Sequence, residues 1–92
     1  MGENTTAPIG YHSVTPYLVI RGAAKAIDFY KDIFAATERM RMEAPGGKIG
    51  HAELAIGDAV IMLSDEWPEM DYHGPEAIGG SPVSLLVYVE DV

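Results

Sequence analysis

His51 and Glu53, in the segment IGHAELAI, are the two residues of this chain best placed to act together chemically. Side chains at i and i+2 of a strand share a face, so an imidazole and a carboxylate would be presented side by side. Three kinds of chemistry suit such a pair: orienting a polar ligand, a general base held by its orienter, or two ligands of a metal site. A cross-strand polar pair that fixes sheet register is the alternative without a ligand. Tyr17 in VTPYLVI, and Met62 and Ser64 in AVIMLS, have the periodicity to join the same face. Trp67 follows in SDEWPEM. Its indole closes the mouth of a pocket, stacks on a flat ligand, or plugs the following loop onto the sheet. Tyr17, His51, Glu53, Met62, Ser64 and Trp67 are therefore the candidate ligand contacts. No catalytic residue and no metal ligand is assigned. Two ligands alone do not hold a transition metal, and His12 and His73 fall in loop sequence.

Composition narrows the classes. The 92 residues allow one small domain. Cysteine is absent, which removes disulfides, zinc ribbons and thiolate nucleophiles. The run PGGK lacks the helix start that a phosphate loop needs, and reads as a hairpin turn. The formal charge is −8 and is unevenly spread. All six basic residues lie at or before Lys48, where the net is +1; the rest of the chain carries nine acids, no Lys or Arg, and a net of −9. A nucleic-acid partner needs cations to displace phosphate counterions, and an anionic membrane needs them too, so neither partner is expected. An acidic half serves solubility or attracts a cationic ligand. Met1 to Ser13 lacks the basic start and apolar block of a signal peptide, and the compartment expected is the cytoplasm.

The elements that must position these residues are legible from periodicity. Residues 1–13 are polar or small and read as a flexible N-terminal arm. Val14 to Ile20 reads as a strand, with Pro16 marking an edge or a strand start. From Gly22 a helix runs to about Phe34, its apolar stripe made by Ala23, Ala26, Ile27, Tyr30, Ile33 and Phe34. Asp28 and Lys31 form a weak i,i+3 pair on its wet side. The chain then reads Ala35-Ala36, with no Gly where a left-handed stop is expected. Thr37 to Glu43, Ile49 to Ile56 and Ala59 to Ser64 read as three strands joined by turns at Pro45-Gly46-Gly47 and Gly57-Asp58. Arg39 and Arg41 alternate with Met40 and Met42 as a solvated edge. Residues 65–82 form a long acidic loop, and Val83 to Val89 a further strand.

If the helix covers Leu18, Ile20, Ala52, Leu54, Ile56, Ile61 and Leu63, the opposite face carries Tyr17, Val19, Ile49, His51, Glu53, Val60, Met62 and Ser64. Ser84, Leu86 and Tyr88 join it if the last strand belongs to the same sheet. One helix cannot cover both sides of a sheet, so this face needs a second layer or lines a pocket.

The segments TPYLVIRGAAKAIDFYKDIF, GGKIGHAELAIGDAVIMLSDE and GGSPVSLLVYVEDV together resemble the glyoxalase/bleomycin-resistance/dioxygenase superfamily, the vicinal oxygen chelate proteins, and most of all its PhnB-like branch. The resemblance implies an α+β fold: a βαβββ module whose curved mixed sheet is covered by one helix and pairs with a second module in trans. Residues 14–64 match one module and residues 83–92 only the first strand of a second. Metal-dependent members hold the ion with His and Glu. At the corresponding positions this chain has Thr15, Met62 and Ser84, which do not make a zinc, nickel, iron or manganese site. The expectation is a homodimeric, metal-free, cytoplasmic protein that binds a small, cationic, partly aromatic molecule. A metal-dependent lyase or dioxygenase, or a truncated piece without activity of its own, is the alternative.

Overall fold

The computed structural model of the chain describes residues 10–89. In chain order the elements are β1 (Tyr17–Val19), α1 (Ala23–Phe34), β2 (Thr37–Ala44), β3 (Lys48–Ile56), β4 (Ala59–Ser64) and a single helical turn, α2 (Pro75–Ile78). The strands form one sheet in the order β1-β4-β3-β2. β2, β3 and β4 are antiparallel hairpin neighbours, and β1 lies parallel to β4. This is the mixed sheet with one covering helix expected from the sequence. The positive φ of Gly46 and Gly47 lets the chain reverse between β2 and β3.

Pro16 stands directly before the edge strand β1, a place that tolerates its missing N–H. Its carbonyl accepts from Met62 N–H (2.9 Å), and Ile20 N–H donates to the Ser64 carbonyl (2.9 Å), so the parallel ladder runs on past both ends of β1.

The core lies between α1 and the sheet. Ala23 and Ile27 pack with Ala52, Leu54, Ile61 and Leu63, with Leu18, Ile20, Ala26, Tyr30 and Ile56 partly buried around them. Ile33, placed on the stripe by spacing, is instead 60% exposed. The stripe turns away from the sheet in the last helical turn. Lys31 reaches forward to Glu38 (3.2 Å), and the same carboxylate takes both Arg41 Nε (2.9 Å) and Nη2 (3.0 Å). These cations hold Glu38 below the usual carboxylate range. The helix ends with Ala35 in the left-handed region (φ 55°), where an L side chain is strained.

Ile49 is a correction to the alternation. Counting by twos from His51 places it on the uncovered face, yet it is 1% exposed and part of the core. Gly50 is the reason. Met42 pairs with His51 and Glu43 with Ile49, so Gly50 is an extra residue in β3. Such a bulge shifts the side-chain parity beyond it. A Cβ on Gly50 would stand 3.3 Å from the Met42 carbonyl oxygen. A second irregularity at Arg39, between the pairs Glu38–Leu54 and Met40–Glu53, does the same in β2.

One carboxylate joins helix, sheet and loop. Asp65, 6% exposed, follows directly on β4. Its Oδ1 accepts from the N–H groups of Gly22 (3.0 Å) and Ala23 (3.3 Å), and its Oδ2 from Ile49 N–H (2.7 Å). Its own N–H donates to the Ile49 carbonyl (2.9 Å). Helix starts leave orphan N–H groups that an acceptor must satisfy, and here a distant Asp supplies it rather than the preceding residue.

The segment expected as a long loop holds the turn Pro68–Met70, a Trp67–Tyr72 bridge and α2. It is docked by Gly74, whose N–H donates to Glu66 Oε2 (2.7 Å). That bond and Arg21 beside Glu66 hold its carboxyl below the ordinary range. A Cβ on Gly74 would lie 2.9 Å from that oxygen and 3.1 Å from the Val19 carbonyl. Val83 to Val89, expected as a strand, pairs with no strand among the described residues. Strand geometry needs a ladder partner for its backbone groups, and none of the described strands offers one. The remainder of that expected strand, residues 90–92, and the arm over residues 1–9 lie outside the described residues.

Two substitutions test this account by chemical denaturation. Asp65→Ala should cost about 2–4 kcal/mol, because it strands buried N–H groups at the helix start and in β3. Ala35→Gly should add about 0.5–1 kcal/mol by relieving the left-handed backbone.

Candidate functional site

The uncovered face of the sheet is organised by strand register. Tyr17 on β1 pairs with Met62 on β4, Met62 with Glu53 on β3, and Glu53 with Met40 on β2. These four side chains therefore form one row across the sheet, with His51 and Met42 forming the adjacent pair.

The polar members are joined in a chain. Tyr17 Oη is 3.0 Å from His51 Nδ1. His51 Nε2 is 3.0 Å from Glu53 Oε2. The Tyr11 hydroxyl donates to Glu53 Oε1. The Arg39 guanidinium lies 4.7 Å from the centre of the Tyr11 ring, a cation–π distance, and its Nη1 donates to the Gly10 carbonyl (3.4 Å).

Hydrogen positions follow from the partners. An ionised carboxylate only accepts, so His51 donates from Nε2 to Glu53. In the neutral imidazole Nδ1 is then the acceptor, and Tyr17 donates to it. Glu53 is 6% exposed, and burial alone would raise its pKa. The Tyr11 hydroxyl above all, then His51, outweighs burial and holds Glu53 below the ordinary carboxylate range. Tyr11 is pushed up in return, chiefly by its bond to that carboxylate.

Of the residues singled out from sequence, Tyr17, His51, Glu53 and Met62 are brought together here. Ser64 is 1% exposed, and its hydroxyl donates to the Asp65 carbonyl (3.0 Å). Trp67 lies away from the row, with Lys48 Nζ 4.6 Å above its ring and its backbone bridged to Tyr72. Sequence reasoning missed Tyr11 and gave Arg39 no role beyond a solvated edge. Tyr11 sits in an apparently featureless arm, and only tertiary folding carries it 42 residues along the chain to Glu53.

At the positions where the resemblance implies metal ligands, the donor set does not fit a divalent ion. A thioether at Met62 and hydroxyls at Thr15 and Ser84 lack the imidazole or carboxylate such ions require. Among the described residues no group of three or more His, Asp or Glu gathers. The His51 nitrogens and Glu53 oxygens are already engaged with one another and with Tyr17 and Tyr11.

Beside β1 lies an apolar hollow of about 670 Å³, lined among others by Leu18, Tyr30, Phe34, Val83, Leu85 and Val87. The alternate residues of the unpaired segment Val83–Val87 thus turn toward α1 and β1.

Residues 10–92 match the model of the Glyoxalase/Bleomycin resistance protein/Dioxygenase superfamily, and the chain belongs to that superfamily. An uncharacterized protein of Mycobacterium bovis is 41% identical over 83 residues, a match covering 87% of this chain and 55% of that protein. Uncharacterized proteins from two strains of Mycobacterium tuberculosis are also 41% identical over 83 residues, with 49% of their length covered. The chain spans about half the length of these relatives. No solved structure matches it. No helix among the described residues is long and apolar enough to cross a membrane.

The Tyr11–Glu53 bond has a pH signature. A carboxylate whose pKa is lowered by folding adds stability above its unfolded-state pKa and loses it as pH falls through the folded value. Tyr11→Phe should therefore lower the denaturation midpoint at neutral pH. The deficit against the unmodified protein should shrink as the pH drops below about 4, the ordinary carboxylate range. Denaturant titrations at several pH values measure it.

Proposed function

We propose that this protein binds a small organic molecule on the uncovered face of its sheet, without a metal at Thr15, Met62 and Ser84. The observation that carries this reading is the row Tyr17–Met62–Glu53–Met40, with His51 beside it. The row mixes adaptable thioethers with a hydrogen-bonded polar chain, opposite the face that the helix buries. Half-exposed Tyr17, Met40 and Met42 leave apolar surface for a ligand or a second layer. Superfamily membership fits this use of the face, and the resemblance of the segments around AIDFY and HAEL supports a PhnB-like reading within it.

The ligand proposed is cationic and partly aromatic. Glu53 contributes a buried negative charge, and the second half of the chain carries no Lys or Arg, which favours a cation by simple electrostatics. The uncovered face is closed by a second copy in a homodimer, whose approach also fills the hollow beside β1. The apolar residues of that hollow and of the row supply the contact.

Matched probes test the charge preference. N-methylquinolinium should bind about tenfold or more tightly than quinoline-2-carboxylate in calorimetric titration, a difference of about 1.4 kcal/mol. Glu53→Gln should remove the preference. Tighter binding of the carboxylate would overturn the charge argument. Stoichiometric metal in the purified protein, lost on His51→Ala, would instead favour a metal-dependent lyase or dioxygenase. Light scattering after size exclusion should give twice the chain mass; a cooperatively folded monomer would refute the dimer.

A further inference from the structure

We propose that Tyr17, His51 and Glu53 form a metal-independent nucleophile–base–orienter set, with the Tyr17 hydroxyl as the group that attacks an electrophilic carbonyl compound. It rests on the uncovered face being the ligand site and adds a reaction to it.

The geometry meets each requirement for an activated hydroxyl. The nucleophile must lie within hydrogen-bond reach of a base, and the base must be oriented by a third group. Tyr17 Oη lies 3.0 Å from His51 Nδ1, and His51 Nε2 lies 3.0 Å from Glu53. Glu53 is itself held by the Tyr11 hydroxyl at its other carboxylate oxygen, on a strand flanked by Met62 and Met40. The charged and titratable groups described around the set are Tyr11 and Arg39, on the Glu53 side. At the other end, Tyr17 is 45% exposed on the edge strand. The chain of hydrogen bonds thus runs from a buried carboxylate to an accessible oxygen. A pair that served only register would gain nothing from the third, exposed hydroxyl.

The step balances without any further reagent. Tyr17 Oη attacks the carbonyl carbon of an ester, forming an O–C bond, while its proton passes to His51 Nδ1. The imidazolium is stabilised by the Glu53 carboxylate. The ester C–O bond breaks, and the leaving group departs with the electron pair. His51 then returns its proton to water or to the leaving group.

The test uses the whole chain with 4-nitrophenyl acetate, and peptide mass spectrometry locates the acetyl group. Tyr17 should be acetylated at least tenfold faster than Tyr88, although Tyr88 is 89% exposed. Tyr17→Phe should abolish the nitrophenolate burst, and His51→Gln should reduce Tyr17 to the rate of Tyr88. Nitrogen NMR of the unmodified protein should show neutral His51 protonated at Nε2, a readout that needs no variant. Equal rates at Tyr17 and Tyr88, a burst that survives Tyr17→Phe, or a proton on Nδ1 would each overturn the proposal. Failure of the quinolinium titration with fast Tyr17 acetylation would fault the ligand and leave the reaction standing. The converse would fault the reaction alone.

Discussion

The architecture depends on a buried carboxylate that satisfies backbone groups from two distant segments at once. Asp65 closes the first turn of α1 and the first residues of β3, and it follows directly on β4. A single residue thereby sets where the helix starts relative to the sheet. Hydrogen bonds from buried N–H groups to a charged acceptor are among the stronger contributions available to a small domain, and a chain of this size has little core to compensate for their loss. The start of the covering helix is tied to the sheet through this contact.

Covering one face leaves the other without a helix over it. Strand pairing aligns Tyr17, Met62, Glu53 and Met40 in a row, and hydrogen bonding directs every proton of its polar members. Glu53 is buried yet stays ionised because two donors, Tyr11 and His51, outweigh its desolvation. The polar chain therefore combines a fixed charge at its inner end with an accessible hydroxyl at its outer end. Tyr17 belongs to both the row and the wall of the neighbouring hollow, so the two surfaces meet at one side chain.

Much of this was legible from local pattern. The helix from Gly22 to Phe34, the three hairpin strands, the edge placement of Pro16 and the left-handed Ala35 all follow from periodicity and backbone chemistry. His51 and Glu53 were found because strand parity is short-ranged. Parity misled for Ile49, since an extra residue at Gly50 inverts it and an isolated Gly does not announce on which side of it the register slips. It also misled for Ile33, whose exposure depends on how far the sheet extends beneath the helix end. Val83–Val89 has the alternation of a strand but no pairing partner in the described sheet, because a strand is a property of two segments rather than one.

The sequence alone determined the order of β1, α1, β2, β3 and β4, the face that α1 buries, and the pairing of an imidazole with a carboxylate on the opposite face. These are consequences of side-chain period and turn chemistry, which act over a few residues. Only the tertiary structure decided that Tyr11 bonds to Glu53, that Arg39 stacks on Tyr11, and that Asp65 caps α1. Each joins segments 28 to 43 residues apart, and such contacts arise from packing and the need to satisfy buried polar groups, which no local pattern encodes.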